Sequence, residues 1–223
     1  MYIQFAKGYR GMTVRDNVDW MYLLDGSRDC FTYTYVYERE DVVEGYLVLR
    51  EGSAEETMLS EFLTLTPRAQ RALLGLLSRL EMQSRDFTWY APIDDGLWSQ
   101  CLEREIQTRL EPCHQGRVVD VAAALGALRP DPALHGAFTL AIQDGFAPWN
   151  AGTWSVTIAE ARVTVCATTD AADVRMDIQA LTQAFFGVLA LAALRKNGRL
   201  NVMCEAGFET LAELLAGPPM WEN

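Results

Sequence analysis

Few side chains in this chain have the type and spacing to do chemistry. The only histidines are His114 and His135. No serine or cysteine stands near either in a way that suggests a nucleophilic triad, so both read as loop histidines. Cys113-His114 is the one adjacent soft pair, and a zinc site needs about four ligands. Asp94-Asp95 and Glu55-Glu56 are paired carboxylates, the residue type of general acid–base work. The first pair reads better as a helix start and the second as a solvated turn. The five cysteines, Cys30, Cys101, Cys113, Cys166 and Cys204, are odd in number and dispersed. They suggest neither a disulfide framework nor a CxxC metal site, and most read as buried small hydrophobes. Phe31, Tyr33, Tyr35, Tyr37 and Tyr46 could line a pocket but fit cross-strand packing better. Trp149 and Trp154 read as core or interface.

Composition narrows the partners. The chain has 223 residues, half of them hydrophobic, and a net charge of −11. Phosphate binding needs a basic face, so nucleic acid is a poor partner and an anionic membrane surface is disfavoured. Acidity can instead attract cationic small molecules. No apolar run approaches the ~20 residues of a membrane span. The most apolar segment, Ala184 to Leu194, is too short, and the N-terminus lacks a signal-peptide layout. Cytoplasmic residence is the expectation.

The length suits one large or two small domains, and the chain changes rhythm at Gly116 to Leu125, which divides it in two. There Arg117-Val118-Val119 reads as a short strand and Asp120 as the N-cap of an Ala-rich helix. Before it, Asp16 or Asn17 caps a helix with apolar positions Val18, Met21, Leu24 and Trp20. Strands follow at Cys30 to Tyr37, Glu44 to Arg50 and Met58 to Leu65. Pro67 opens a helix with Ala69, Leu73, Leu76, Leu77 and Leu80 at helical spacing. Phe87 to Tyr90 reads as a strand, Leu97 to Leu102 as a short helix, and Ile106 to Leu110 as a final strand. After the junction, Phe138, Leu140 and Ile142 alternate along a strand. Further strands are expected at Thr153 to Ile158, Arg162 to Ala167 and Asp173 to Ile178. A helix begins at Asp177 or Gln179, and the last helix carries Phe208, Leu211, Leu214 and Leu215. Pro218-Pro219 ends it ahead of the tail Met220-Trp221-Glu222-Asn223.

These residues carry a resemblance. Arg117-Val118-Val119-Asp120-Val121 with Ala124-Leu125 resembles the interdomain junction of the Eis-type ("enhanced intracellular survival") GNAT N-acetyltransferases. Tyr35-Val36-Tyr37, Glu44-Gly45-Tyr46-Leu47 and Ala91-Pro92-Ile93-Asp94 resemble that family's degenerate second acetyltransferase-like domain. Phe138-Thr139-Leu140 with Ile142 and Asp144, Gly152-Thr153-Trp154, and Asp173-Val174 with Asp177-Ile178 and Leu181 resemble its sterol-carrier-protein-like (SCP2-like) domain.

The resemblance implies an α+β fold. Residues 1–115 would form a degenerate GNAT-like mixed sheet with flanking helices, and residues 116–223 a sterol-carrier-protein-like α/β sandwich. It implies the C-terminal part of an enzyme that transfers acetyl from acetyl-CoA to cationic amines such as aminoglycosides or lysine-like amines. The partners implied are that amine, an N-terminal catalytic GNAT domain and further copies of the chain in a homo-oligomer. The family's cofactor signature, Arg/Gln-x-x-Gly-x-Gly/Ala after a strand, has no counterpart between Leu65 and Pro67. The chain alone is therefore expected to hold no cofactor, acetyl-CoA belonging to the complete enzyme. In the family the terminal carboxylate reaches the active site as a base. That role falls on the carboxylate of Asn223 as the catalytic group, with Glu222 and Trp221 binding substrate, although the family commonly ends in an aromatic residue. Two other readings stand beside it: a lipid-binding sterol-carrier-like module, whose cavity Phe138, Leu140, Ile142, Phe185 and Phe186 could line unless they form a filled core, and a structural oligomerisation subunit.

Overall fold

The computed structural model describes residues 1–25, 31–50, 56–80, 86–97, 106–111 and 115–221. The chain divides into two units, Met1–Ile106 with Pro219–Asn223, and Gln107–Pro218.

The first unit is a four-stranded sheet. Its elements are α1 (Tyr2–Ala6), α2 (Asn17–Asp25), β1 (Thr32–Arg39), β2 (Val42–Arg50), β3 (Glu56–Thr64), α3 (Pro67–Arg79) and β4 (Asp86–Thr88). The strands lie in the order β1-β2-β3-β4, antiparallel except for the parallel β3–β4 pair. A β3–α3–β4 connection is what a parallel pair requires. The β1–β2 hairpin turns on Glu40 and Asp41, both at positive φ (52° and 62°). A two-residue hairpin of this hand needs that conformation.

Both faces of this sheet are apolar. Leu47 and Val48 are adjacent in β2, face opposite sides and are each fully buried. Leu47, Leu59 and Phe62 pack with Leu73 and Leu77 of α3 on one face. Tyr46, Val48 and Leu63 pack with Tyr2 on the other, joined by Trp20 and Leu23 of α2. The strand expected from Met58 to Leu65 forms as β3, but its side chains do not alternate regularly along its length. A register shift opposite Val48/Leu49 puts Leu59 on the Phe62 face. The apolar stripe expected on α2 is also corrected. Val18, Met21 and Leu24 are exposed, whereas Trp20 and Leu23 point inward. Tyr35 and Tyr37 pack on the α3 side and Tyr46 on the other, while Phe31 and Tyr33 are exposed. Ile106 to Leu110 forms no strand. The helix expected through Leu102 falls largely outside the described residues.

The second unit has α4 (Val121–Gly126), β5 (Gly136–Gln143), β6 (Gly152–Ala159), β7 (Arg162–Thr168), β8 (Val174–Asp177), α5 (Ile178–Phe185), α6 (Leu191–Lys196), β9 (Leu200–Val202) and α7 (Glu205–Leu215). The sheet order is β7-β6-β5-β8-β9, with only β5–β8 parallel. Phe138, Leu140 and Ile142 of β5 enter one continuous core with side chains of all four helices, Leu125, Leu181, Leu194 and Leu211 among them. Phe185 packs against this core. Asp120 caps α4 by accepting from the Ala123 N–H at 2.8 Å. Asp177 caps α5 by accepting from the Ala180 N–H at 2.6 Å. Arg117-Val118-Val119 is not a strand. Side chains take its backbone groups instead: the Val118 N–H donates to Thr182 Oγ1, and the Val119 carbonyl accepts from Trp149 Nε1 and Asn150 Nδ2. The apolar segment Ala184 to Leu194 divides at a turn and continues as α6. Among the described residues no helix is long and apolar enough to cross a membrane.

Candidate functional site

Three places in the first unit bear on chemistry. The first is the start of α3, where a helix N-terminus presents unpaired N–H groups that could hold an anion. Here most of those groups are taken or missing. Pro67 supplies no N–H at the first helical position. Thr66 Oγ1 accepts from the Ala69 N–H at 3.1 Å, and the Gln70 N–H donates to the Thr66 carbonyl. The Thr66 hydroxyl donates to Glu44 Oε2 at 2.8 Å, so a carboxylate stands where a phosphate would have to come. Gly45 lets the helix approach this closely, since a Cβ there would meet Ala69 Cβ and Thr64 Cγ2, each at 3.1 Å.

The second place is a clasp between residues 9–11 and the C-terminal tail. The Arg10 N–H donates to the Pro219 carbonyl at 3.2 Å, and the Trp221 N–H donates to the Arg10 carbonyl at 2.9 Å. Arg10 and Met220 thus form a parallel bridge. Gly11 makes it possible: its φ is +81°, and a Cβ there would stand 3.0 Å from Cγ and Cε of Met220. Asp94 bonds the hydroxyl of the neighbouring Tyr9. Burial, with the charge of Asp94 added, pushes the Tyr9 hydroxyl up to about 12. Burial and the adjacent Asp94 also raise the Asp95 carboxyl. Trp221 Nε1 is buried and has no hydrogen-bond partner among the described residues.

The third is a buried polar cluster under α2. Arg15 grips Glu61 with both ends of its guanidinium, at 2.8 and 2.7 Å. The two side chains are 7% and 0% exposed. The Tyr46 hydroxyl donates to Glu61 Oε2 at 2.6 Å, and the guanidinium lies 4.2 Å from the centre of the Tyr2 ring. Burial, then Glu61, drives the Tyr46 hydroxyl well above the phenol range. Burial opposes the Arg15 charge, but the bonds to Glu61 more than offset it. The cluster fastens residues 13–16 to β2 and β3.

The corresponding corner of the second unit is built on Asp144. Its carboxylate accepts from Arg117, Asn150 and the N–H groups of Phe146 and Ala147. Burial works against its charge, yet these donors outweigh it and hold the carboxyl well below the usual range. The junction motif is thus a structural corner: Arg117 clamps Asp144, Val119 receives Trp149 and Asp120 caps α4.

Of the expected site residues, Trp221 lies in the clasp, whereas Glu222 and Asn223 lie outside the described residues. So do His114, Cys30, Cys101, Cys113 and Glu55. His135 is exposed. Cys166 and Cys204 are exposed and free, which corrects their reading as buried hydrophobes. Edge strand β7 and the residue capping α7 put them at the surface. Among the described residues no three metal-ligating side chains come together. Sequence reasoning missed Arg10, Gly11 and Met220, whose pairing spans some two hundred residues. It also missed Glu44, seen only as a strand start.

A β-hairpin sheet with a β–α–β closure, followed by a mixed sheet backed by four helices, corresponds to two known domain families. Residues 11–118 match the acetyltransferase (GNAT) domain and residues 121–222 the sterol carrier protein domain. The chain therefore carries a GNAT acetyltransferase domain followed by an SCP2-like domain. An uncharacterized N-acetyltransferase of Streptomyces coelicolor is 29% identical over 169 residues, which are 75% of this chain and 40% of that protein. A probable N-acyltransferase from Enterococcus faecalis has a similar solved structure, with a TM-score of 0.79 at 24% identity, covering 100% of this chain and 57% of that one. Eis1 from Mycobacterium abscessus matches with a TM-score of 0.55 at 22% identity, over 85% of this chain and 49% of its own. The structural likenesses establish the fold. The chain spans about two-fifths of the Streptomyces relative and under two-thirds of both solved chains.

Proposed function

We propose that this chain is the substrate-side and scaffold part of an Eis-like N-acetyltransferase, a part that does not itself hold acetyl-CoA. One observation carries this reading, the closed start of α3. Thr66 and Pro67 leave few of its first-turn N–H groups free, and Glu44 adds negative charge beside them. Its support is the length of the relatives, which carry more chain than is present here. Acetyl-CoA titrated calorimetrically into the purified chain is expected to give no binding at micromolar concentration. Micromolar or tighter binding would overturn the reading.

The substrate class is proposed as cationic amines, with the tail as the proton acceptor. A carboxylate within hydrogen-bond reach takes the proton as an amine attacks a thioester, and its charge holds the ammonium beforehand. The clasp on Arg10 supports this by fastening the backbone of Trp221, directly before Glu222 and Asn223. In an enzyme restored with a catalytic acetyltransferase domain, deleting Trp221 to Asn223 should lower kcat/KM for a polyamine by about 10²–10⁴-fold, the usual worth of a general base. Adding a few neutral residues after Asn223 should do the same, whereas Glu222→Gln should mainly raise KM. Wild-type rates in the deleted and extended forms would remove the tail from the mechanism.

A further inference from the structure

The clasp admits one register of the tail. Arg10 uses both of its backbone groups: its N–H donates to the Pro219 carbonyl at 3.2 Å, and its carbonyl accepts from the Trp221 N–H at 2.9 Å. Slipped two residues one way, the bridge would need a donor at Pro219, which has no N–H. Slipped two residues the other way, it would bring the charged side chain of Glu222 to the place where Met220 meets Gly11. Slipped by one, it would turn the tail side chains to the opposite side. Met220 fits because residue 11 has no side chain. At φ +81°, a Cβ there would stand 3.0 Å from Met220 Cγ and Cε. That φ also lies in the left-handed region, which glycine adopts at little cost and alanine does not.

We infer that Gly11 is a positioning residue for the proton-accepting tail, and that the clasp forms in this chain by itself; the first half rests on the tail role proposed above. Gly11 touches no substrate. It acts through Met220 and the backbone of Trp221, and what it sets is the length of a leash. A chain end three residues beyond Met220 reaches no farther than about 10–11 Å from it, at 3.3–3.6 Å per extended residue. A base must come within hydrogen-bond reach of the proton it takes, and holding it near that geometry beforehand lowers the entropic part of the barrier. A tail that slid or let go at Arg10 would lose that placement while keeping every side chain.

Hydrogen exchange of the lone chain reads the clasp directly. The Trp221 amide should be protected, and Gly11→Ala should speed its exchange about tenfold, the worth of the left-handed strain that alanine would carry. Peptides from β2 should exchange as before and report that the unit still folds. Equal exchange of Trp221 in the two chains overturns the inference. In the enzyme restored with a catalytic domain, Gly11→Ala should lower kcat for a polyamine about tenfold if that strain opens the clasp. Combined with deletion of Trp221 to Asn223, it should add no further loss, because it acts only through the tail. A further tenfold loss in the deleted form would make Gly11 a merely structural residue. One glycine inserted between Gly217 and Pro218 should be absorbed, since the bridge restores the register beyond it. One inserted between Trp221 and Glu222 lengthens the leash and should lower kcat. Equal losses from the two insertions overturn the register. The two readings fail separately. Wild-type rates after tail deletion remove the proton acceptor and keep the clasp, and an unprotected Trp221 amide with a tail needed for rate does the reverse.

Discussion

The two units are nearly equal in length but bury their apolar residues differently. The second has one core on one side of its sheet, covered by four helices. The first divides its burial between two smaller clusters on opposite faces, under α3 and under the thin α1–α2 layer. Exposed large apolar side chains among the described residues are more than twice as numerous in the first unit as in the second. A sheet with two apolar faces needs two covers, and a thin cover passes its own apolar residues outward. The polar chemistry differs too. The first unit buries a charge pair, Arg15–Glu61, beneath its thin layer, whereas the ion pairs Arg117–Asp144, Arg195–Glu205 and Arg199–Asp177 of the second each keep the guanidinium partly exposed.

The largest expected effect tests that buried pair. Arg15→Met leaves the Glu61 carboxylate buried and without its cation, a change that costs about 3–5 kcal/mol. Hydrogen exchange resolved by peptide should show the loss in the first unit, with the second unaffected. Arg15→Met/Glu61→Leu should regain much of it, because no charge then stays buried. A double variant as unstable as the single one would mean that the stacking of the Arg15 guanidinium on Tyr2, not the buried carboxylate left without its cation, dominates.

Leu140→Ala in the continuous core of the second unit should cost about 2–5 kcal/mol, seen as a lowered denaturant midpoint. Val18→Ala on the outer side of α2 should cost little. Comparable losses would mean that the exposed face of the first unit is already packed.

Acid should separate the units by sign. The Asp144 carboxyl is held low in the fold, so it contributes stability above its unfolded range near 3.9. That contribution is lost as pH falls below about 4 toward the folded value. The Asp95 carboxyl is raised, so its ionised form costs stability at neutral pH, and the cost is relieved as pH falls through its folded value. Asp144→Asn should therefore flatten the acid loss of the second unit. Asp95→Asn should stabilise the first unit at pH 7 and change little below pH 4. The check is unit-resolved hydrogen exchange across pH, and the same sign in both units would break the assignment.

Smaller effects compare caps and hairpins. Asp120→Ala removes the α4 cap and should cost about 1 kcal/mol, read as the denaturation midpoint. Smallest is Ala161→Gly. Ala161 stands at φ +56° in the β6–β7 hairpin, the counterpart of Asp41 at +62° in β1–β2. Relief of the left-handed conformation, worth about 1 kcal/mol, is partly offset by the added freedom of glycine when unfolded. The net gain should be roughly 0.5 kcal/mol. Asp41→Gly should gain less, because aspartate tolerates that conformation through local hydrogen bonds.

The sequence by itself determined much of the element order and both domain families. Helical spacing from Ala69 to Leu77, alternation at Phe138, Leu140 and Ile142, Pro67 at a helix start and Asp120 as a cap are local signals, decided by backbone geometry within a few residues. The missing glycines ahead of α3 were legible for the same reason. Only the tertiary structure decided what depends on distant partners. The apolar residues of α2 are nearly continuous in sequence, so nothing local says that Trp20 and Leu23 turn in while Val18, Met21 and Tyr22 turn out. The register shift facing Leu49 moves Leu59 to the Phe62 face, and alternation carries no mark of it. Glu44 stops the α3 start because strand pairing brings it to Thr66. The Arg10–Met220 bridge joins opposite ends of the chain through backbone groups that every residue possesses, and such groups carry no sequence signature.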